Sequence, residues 1–286
     1  MSDAHTSSVA RSGAGEPGRI ARAFARMRAD GRTGLVTYLT AGDPSLARTR
    51  DLLFALERAG ADVVELGVPF SDPLADGPVI QRASERALRG GTTLGGVLEL
   101  VADVRSTLSI PIVLFTYANP VVRLGLETFA DQAAAAGVDG VLLLDVPIEE
   151  ADAARAVLSA RGIDMIFLVS PTTTAARLAR AAALGSGFLY GISRLGVTGV
   201  RDRISEEAGA LASRVRQATD LPLAIGFGLS RPEHIAAVGR FADAAVVGSG
   251  LVQVIAEAGD TPSLVPRVEA YVRSLTEGAV RAGARP

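Results

Sequence analysis

Eight short apolar runs, each followed by a helix-like stretch, constrain this chain more than any other feature. They fall at residues 35–39, 62–66, 111–116, 139–144, 164–169, 187–191, 222–226 and 242–247. Between them helical spacing recurs, as at Leu52, Leu53 and Leu56 or Leu98, Val101 and Val104. Gly60-Ala61-Asp62, Gly137-Val138-Asp139 and Arg161-Gly162-Ile163 announce strands, because Gly ends a helix and turns the chain. Eight such repeats predict an α/β fold, a single (β/α)8 TIM barrel, and the usual length of about 250 residues fits residues 18–286. A doubly wound sheet is the alternative, but the G-x-G-x-x-G fingerprint it would carry after the first strand is absent. Ile20, Phe24 and Met27 give an N-terminal helix from Gly18 to about Asp30, and residues 67–110 hold a loop and two helical stretches where one is usual. Residues 1–17 read as a disordered tail and 18–286 as one domain.

What the chain lacks narrows its chemistry. It has no Cys, so disulfides, thiol nucleophiles and thiolate metal sites are excluded. Only His5 and His234 are present, which excludes a His-rich metal site. All 29 basic residues are Arg, a bias that Arg-favouring codon usage explains, and without Lys there is no Schiff base with a carbonyl or with pyridoxal phosphate. A net charge of −2 offers no basic footprint for nucleic acid. No apolar run approaches the roughly 20 residues of a membrane span. The N-terminal stretch has no apolar core of a secretory signal, so the cytoplasm is the expected compartment.

Against that background Val63-Val64-Glu65-Leu66-Gly67-Val68-Pro69-Phe70-Ser71-Asp72-Pro73-Leu74-Ala75-Asp76-Gly77-Pro78 stands out. A lone carboxylate in an apolar strand is costly unless it is paired or used. At the C-terminal end of a barrel strand it reads as an acid/base group, with Asp76 as its companion in the following loop. A structural salt bridge from Glu65 to an Arg is the plainer alternative, and turn or cap positions are the alternative for Asp72 and Asp76. A magnesium site at Asp72 and Asp76 lacks further acidic ligands. Gly226-Phe227-Gly228 and Gly248-Ser249-Gly250 follow the seventh and eighth strands, where barrels hold phosphate on backbone N–H groups; the second opens a helix at Leu251. Gly196-Val197-Thr198-Gly199 after the sixth strand is a flexible loop able to close over a ligand. Tyr38, Tyr117 and Tyr190 near strand ends, with Phe70 and Phe227 in the loops, outline an apolar slot for a flat ring. His234 reads as a surface or packing residue.

The chain resembles the tryptophan synthase α-subunit family from about Arg19 to Leu275. The likeness lies in Tyr38-Leu39-Thr40-Ala41-Gly42-Asp43-Pro44, the run from Val63 through Gln81, Tyr117-Ala118-Asn119-Pro120, Asp145-Val146-Pro147 with Glu149-Glu150, Ser193-Arg194 with Gly196-Val197-Thr198-Gly199, and Gly226-Phe227-Gly228. It implies retro-aldol cleavage of indole-3-glycerol phosphate to indole and glyceraldehyde 3-phosphate. On that reading Glu65 delivers a proton to indole C3 and assists at the glycerol hydroxyl, and Asp76 handles charge at the indole N–H. Tyr190 packs near Glu65, while Gly199, Gly228, Gly248 and Ser249 hold the phosphate. The resemblance also implies an α2β2 assembly with a β subunit that carries the pyridoxal phosphate, this chain holding no cofactor itself. The Asp76 loop and the face around Asn119 and Asp145 would meet that partner. Leu195 makes the mobile loop more apolar than a small residue would. A free-standing lyase and a barrel acting mainly as an activating binding partner are the competing readings.

Overall fold

The computed structural model describes residues 16–192, 201–226 and 228–279, and of residues 201–206 the backbone alone. Its strands are β1 (Gly34–Thr40), β2 (Val63–Gly67), β3 (Ile112–Thr116), β4 (Gly140–Leu143), β5 (Asp164–Met165), β6 (Phe167–Val169), β7 (Leu189–Ile192), β8 (Leu223–Gly226) and β9 (Ala244–Val247). All pair in parallel, in the order β5-β4-β3-β2-β1-β9-β8-β7-β6. The two edge strands are separated in sequence by Ile166 alone. They are halves of one barrel strand, since β5 pairs with β4 and β6 with β7. Ile166 N–H donates to Val141 O at 2.9 Å and Ser186 N–H to Met165 O at 3.0 Å, so the ring closes through the break. Closure confirms the TIM barrel and removes the open doubly wound sheet.

Side chains alternate across each strand. Val36, Val63, Val113, Leu142 and Phe188 point into the barrel, where they meet Ile20, Ala23, Phe24 and Met27 of the helix Arg19–Ala29. Leu35, Leu39, Val64, Leu66 and Ile112 point outward to the helix ring. The N-terminal helix, within the range its sequence spacing gave, is therefore the plug of the barrel base. Phe24 tilts against Phe188 with ring centroids 5.5 Å apart. Each such buried side chain contributes about 1.5–3 kcal/mol.

The Asp residues that precede strands have a use at this base. Asp62 accepts the Leu35 N–H at 2.9 Å and a two-pronged guanidinium contact from Arg32. Asp139 accepts the Ile112 N–H at 2.8 Å and Arg19 at 3.0 Å. Asp243 accepts the Leu223 N–H at 2.9 Å. Each carboxylate thus ties the start of the neighbouring strand by accepting one of its first N–H groups.

The two helices expected between β2 and β3 are Pro78–Arg89 and Leu94–Arg105. The first is the additional one. Its Val79, Ile80 and Ala83 pack with Tyr38 and Val252 beside β1, so it roofs one side of the barrel mouth. Among the described residues no helix is long and apolar enough to cross a membrane.

Candidate active site

Glu65 lies on β2 with its side chain inside the barrel, directly across from Tyr38 on β1. It is 1% exposed, and neither carboxylate oxygen has a hydrogen-bond partner among the described residues. The structural alternative, a salt bridge to Arg, is absent among the described residues. Burial pushes its carboxyl up to about 8, because a low-dielectric surround disfavours the charged form. At neutral pH Glu65 is mainly a neutral acid that has a proton to give.

Aromatic groups enclose it. Tyr38 is buried, its hydroxyl 3.2 Å from Thr40 Oγ1 and its ring edge-on to Phe115 at 5.1 Å. Gly67 lets this ring pass, since a Cβ there would lie 2.2 Å from Tyr38 Oη. Burial, then the charges of Asp76 and Glu65, hold the Tyr38 phenol far above its ordinary value. Tyr190 on β7 is raised well above its ordinary value by burial, then by Glu65 and Tyr38. Tyr38 therefore feels both carboxylates, and Tyr190 flanks Glu65 from the opposite wall.

Asp76 is in the loop after β2. Its Oδ2 accepts the Tyr117 hydroxyl at 3.0 Å, and the same hydroxyl accepts the Ala75 N–H at 3.1 Å. Phe70 stacks on Tyr117 with centroids 5.0 Å apart. Gln81 Nε2 donates to Asp76 O at 2.9 Å and to Pro73 O at 3.3 Å, which pins the loop to the following helix. Burial lifts the Asp76 carboxyl to about 6, against the lowering effect of the Tyr117 hydrogen bond. It is thus mostly ionised at neutral pH, one step more acidic than Glu65. Asp72 does behave as a turn residue: it is exposed, and its carbonyl accepts the Leu74 N–H at 2.9 Å. No group of three or more metal-capable side chains occurs among the described residues.

A clamp that sequence reasoning missed holds the roof. Arg86 of the helix Pro78–Arg89 grips Asp43 through Nε and Nη2, both at 2.8 Å, and Asp43 is 2% exposed. The contact joins the β1 loop to the helix that ends the Asp76 loop. The two residues are 43 positions apart, and no local pattern signals such a pair. Asp145 is placed similarly: its Oδ1 accepts the Ala118 N–H at 2.7 Å and so caps the helix Ala118–Leu124 beside Tyr117.

The glycine loops fall where expected, on adjacent strands β8 and β9. Gly228 has φ +74°, a left-handed conformation that suits glycine. Gly248 precedes the helix Ser249–Ala258, which begins two residues earlier than Leu251. Its first N–H groups have no intrahelical acceptor. The Tyr271 hydroxyl donates to Ser230 O at 3.0 Å and steadies the β8 loop against that neighbour. Thr198, Gly199 and Phe227 lie outside the described residues, as do residues 1–15 of the tail expected at 1–17 and the loop with Leu195. His234 Nδ1 accepts the Ser230 N–H at 3.1 Å, a packing role as expected. A cavity of about 470 Å³ opens beside the mouth between the ends of β4 and β6, lined by Asp145, Pro147, Leu168, Ser170 and Ile192. Glu65 is not on its wall; the carboxylate is buried beside Tyr38 on the neighbouring strand.

This geometry has known counterparts. The family model described as tryptophan synthase alpha chain matches residues 24–280. The tryptophan synthase alpha chain of Solibacter usitatus (strain Ellin6076) is 49% identical over 260 residues, which covers 91% of this chain and 97% of that protein. That of Synechococcus elongatus is 48% identical over 241 residues, 84% of this chain and 91% of that one. Among solved structures, tryptophan synthase subunit alpha from Legionella pneumophila str. Paris superposes with a TM-score of 0.84 at 38% identity, over 92% of this chain and 98% of that one. A chain of Mycobacterium tuberculosis tryptophan synthase gives a TM-score of 0.84 at 38% identity, over 94% and 100%. The chain belongs to the tryptophan synthase alpha chain family.

Proposed function

We propose that this chain cleaves indole-3-glycerol phosphate to indole and glyceraldehyde 3-phosphate, with Glu65 as the proton carrier and Asp76 as the charge-bearing partner. The observation that carries this reading is Glu65 itself: buried, without a hydrogen-bond partner among the described residues, its carboxyl pushed up to about 8 by burial. Cleavage of the bond between indole C3 and the side chain needs somewhere for its electrons to go. Without Lys there is no imine in this chain, so the substrate supplies the sink. Protonation of C3 by Glu65 makes an indoleninium cation. The ionised Asp76 stabilises it at the ring N–H, and the emptied Glu65 carboxylate takes the proton of the adjacent hydroxyl. The carbon–carbon bond then breaks, its electrons restore the indole ring, and the hydroxyl carbon becomes the aldehyde. A raised pKa for the acid and a lower one for the anion is the division of labour that paired catalytic carboxylates need.

Tyr38, Tyr117 and Tyr190, with Phe227, form the walls for the ring. Gly228, Gly248 and Ser249, joined by Thr198 and Gly199, take the phosphate on backbone N–H groups at the helix start. The chain works with a pyridoxal-phosphate β subunit in an α2β2 assembly, in the cytoplasm, as one barrel domain over residues 18–286. Two exposed apolar side chains support a partner at the mouth: Leu74 in the Asp76 loop is 84% exposed and Val122 in the helix Ala118–Leu124 is 72% exposed. The deciding experiment is indole release from indole-3-glycerol phosphate by the purified chain, alone and after addition of a β subunit. Slow release that rises on mixing supports the complex. Release unchanged by mixing supports the free-standing lyase, and no release in either case defeats the proposal.

A further inference from the structure

At the opposite end of the barrel from Glu65, four guanidinium groups line a cavity that the reaction does not use. Arg19, Arg22 and Arg26 follow one stripe of the plug helix, and Arg105 faces them from the end of the helix Leu94–Arg105. The cavity measures about 400 Å³, and Ser106 and Thr107 add hydroxyl groups to its wall. Arg22 and Arg26 are exposed, so the cavity is open to solvent on that side.

Arg105 is the unusual member. Its side chain is 10% exposed, and its Nε and Nη2 are buried with no hydrogen-bond partner among the described residues. Nη1 donates to Leu108 O at 3.2 Å and Ile110 O at 3.1 Å. Asp139 is the carboxylate facing Nη2, at 3.8 Å, but its Oδ2 already takes the Ile112 N–H and its Oδ1 takes Arg19. Glu57, the other carboxylate nearby, accepts the Ser109 N–H, the Ser109 hydroxyl and the Ile110 N–H through one oxygen. Arg22 spends one nitrogen on Pro17 O at 2.6 Å, and Arg26 has no partner among the described residues. Arg19 and Arg105 thus share Asp139, both of whose oxygens are engaged, and one Glu57 oxygen is taken up by Ser109 and Ile110. A buried cation with open N–H groups is costly, and an anion in the cavity offsets that cost.

We propose that this basal cavity is a second anion site, which takes a small multivalent oxyanion of the phosphate class. Guanidinium groups suit such a ligand because their fixed N–H forks match its oxygens. A ligand there would bridge the plug helix to the helix Leu94–Arg105 and so secure the barrel base.

The test is equilibrium dialysis of the full-length chain against labelled inorganic phosphate, comparing wild type with the double variant Arg22→Ala/Arg26→Ala. Both side chains are exposed, so the fold and the indole-releasing activity remain. A control variant, Arg28→Ala/Arg240→Ala, removes two exposed charges elsewhere. The expected result is the loss of one bound phosphate equivalent in the first variant and none in the control, with the thermal stabilisation by phosphate reduced in parallel. The difference between variants carries the test whether or not the mouth binds a phosphate of its own: wild type binds two equivalents if it does and one if it does not. Equal binding by wild type and the first variant, or equal losses in both variants, would overturn the proposal.

Discussion

The base and the mouth of this barrel both bury carboxylates, to nearly the same depth and with opposite outcomes. At the base Asp62 and Asp139 are 6% and 8% exposed, and each accepts a strand N–H and a guanidinium. At the mouth Glu65 is 1% exposed and has neither among the described residues. A buried carboxylate with donors around it fastens structure. One without donors is driven to its neutral form and becomes a proton source. Partners, not depth, separate the two roles.

The widest separation comes from Glu65→Gln, which keeps shape and removes the titrating proton. Indole release should fall about 10³-fold in kcat, within the range for loss of a general acid–base group, with KM changed little. Steady-state assay of the folded variant reads this directly. The mirror experiment is Asp62→Ala, which strands Arg32 and the Leu35 N–H. It should lower unfolding free energy by about 3 kcal/mol, while kcat per folded molecule stays near wild type. Urea titration with parallel activity assays would show it, and a variant that lost kcat but not stability would erase the contrast between the two ends.

Much of this was legible in the sequence. The apolar runs marked the barrel strands because parallel strands buried on both faces carry little polarity. Glu65 announced itself by interrupting one of them. The break at Ile166 was not legible, because the run from Asp164 to Val169 is continuous in polarity and the break lies in which neighbour each half pairs with. The strand-leading Asp residues could be read as breakers. Their work could not, since Asp62 serves Leu35 and Asp139 serves Ile112, each 27 positions upstream. The same holds for Arg86 with Asp43 and Tyr117 with Asp76, whose pairing exists only once the barrel has closed.

The pH dependence sharpens the mouth further. Asp76 must be ionised and Glu65 protonated, so kcat/KM should rise as pH passes about 6 and fall as it passes about 8. Beyond each limb the decline approaches tenfold per pH unit. Stability carries a matching sign: a carboxyl raised in the folded state favours folding at low pH, and that contribution is lost between its ordinary 4.5 and about 8. The gentlest change is Tyr117→Phe, which removes the hydroxyl that lowers the Asp76 carboxyl. With one hydrogen bond worth about 1 kcal/mol, the acid limb should move up by about 0.7 pH unit, so kcat/KM drops about fivefold below pH 6 and by less than twofold at neutral pH. An acid limb that stays in place would mean Asp76 is not the group responsible.

Carboxyl-labelled glutamate followed by carbon NMR through a pH titration, with Glu65→Gln to assign the signal, examines the partnerless acid without reference to turnover. A Glu65 carboxyl held neutral by burial titrates with a midpoint of about 8 in the ligand-free protein. A midpoint at the ordinary 4.5 would mean that Glu65 is charged at neutral pH and has no proton to deliver.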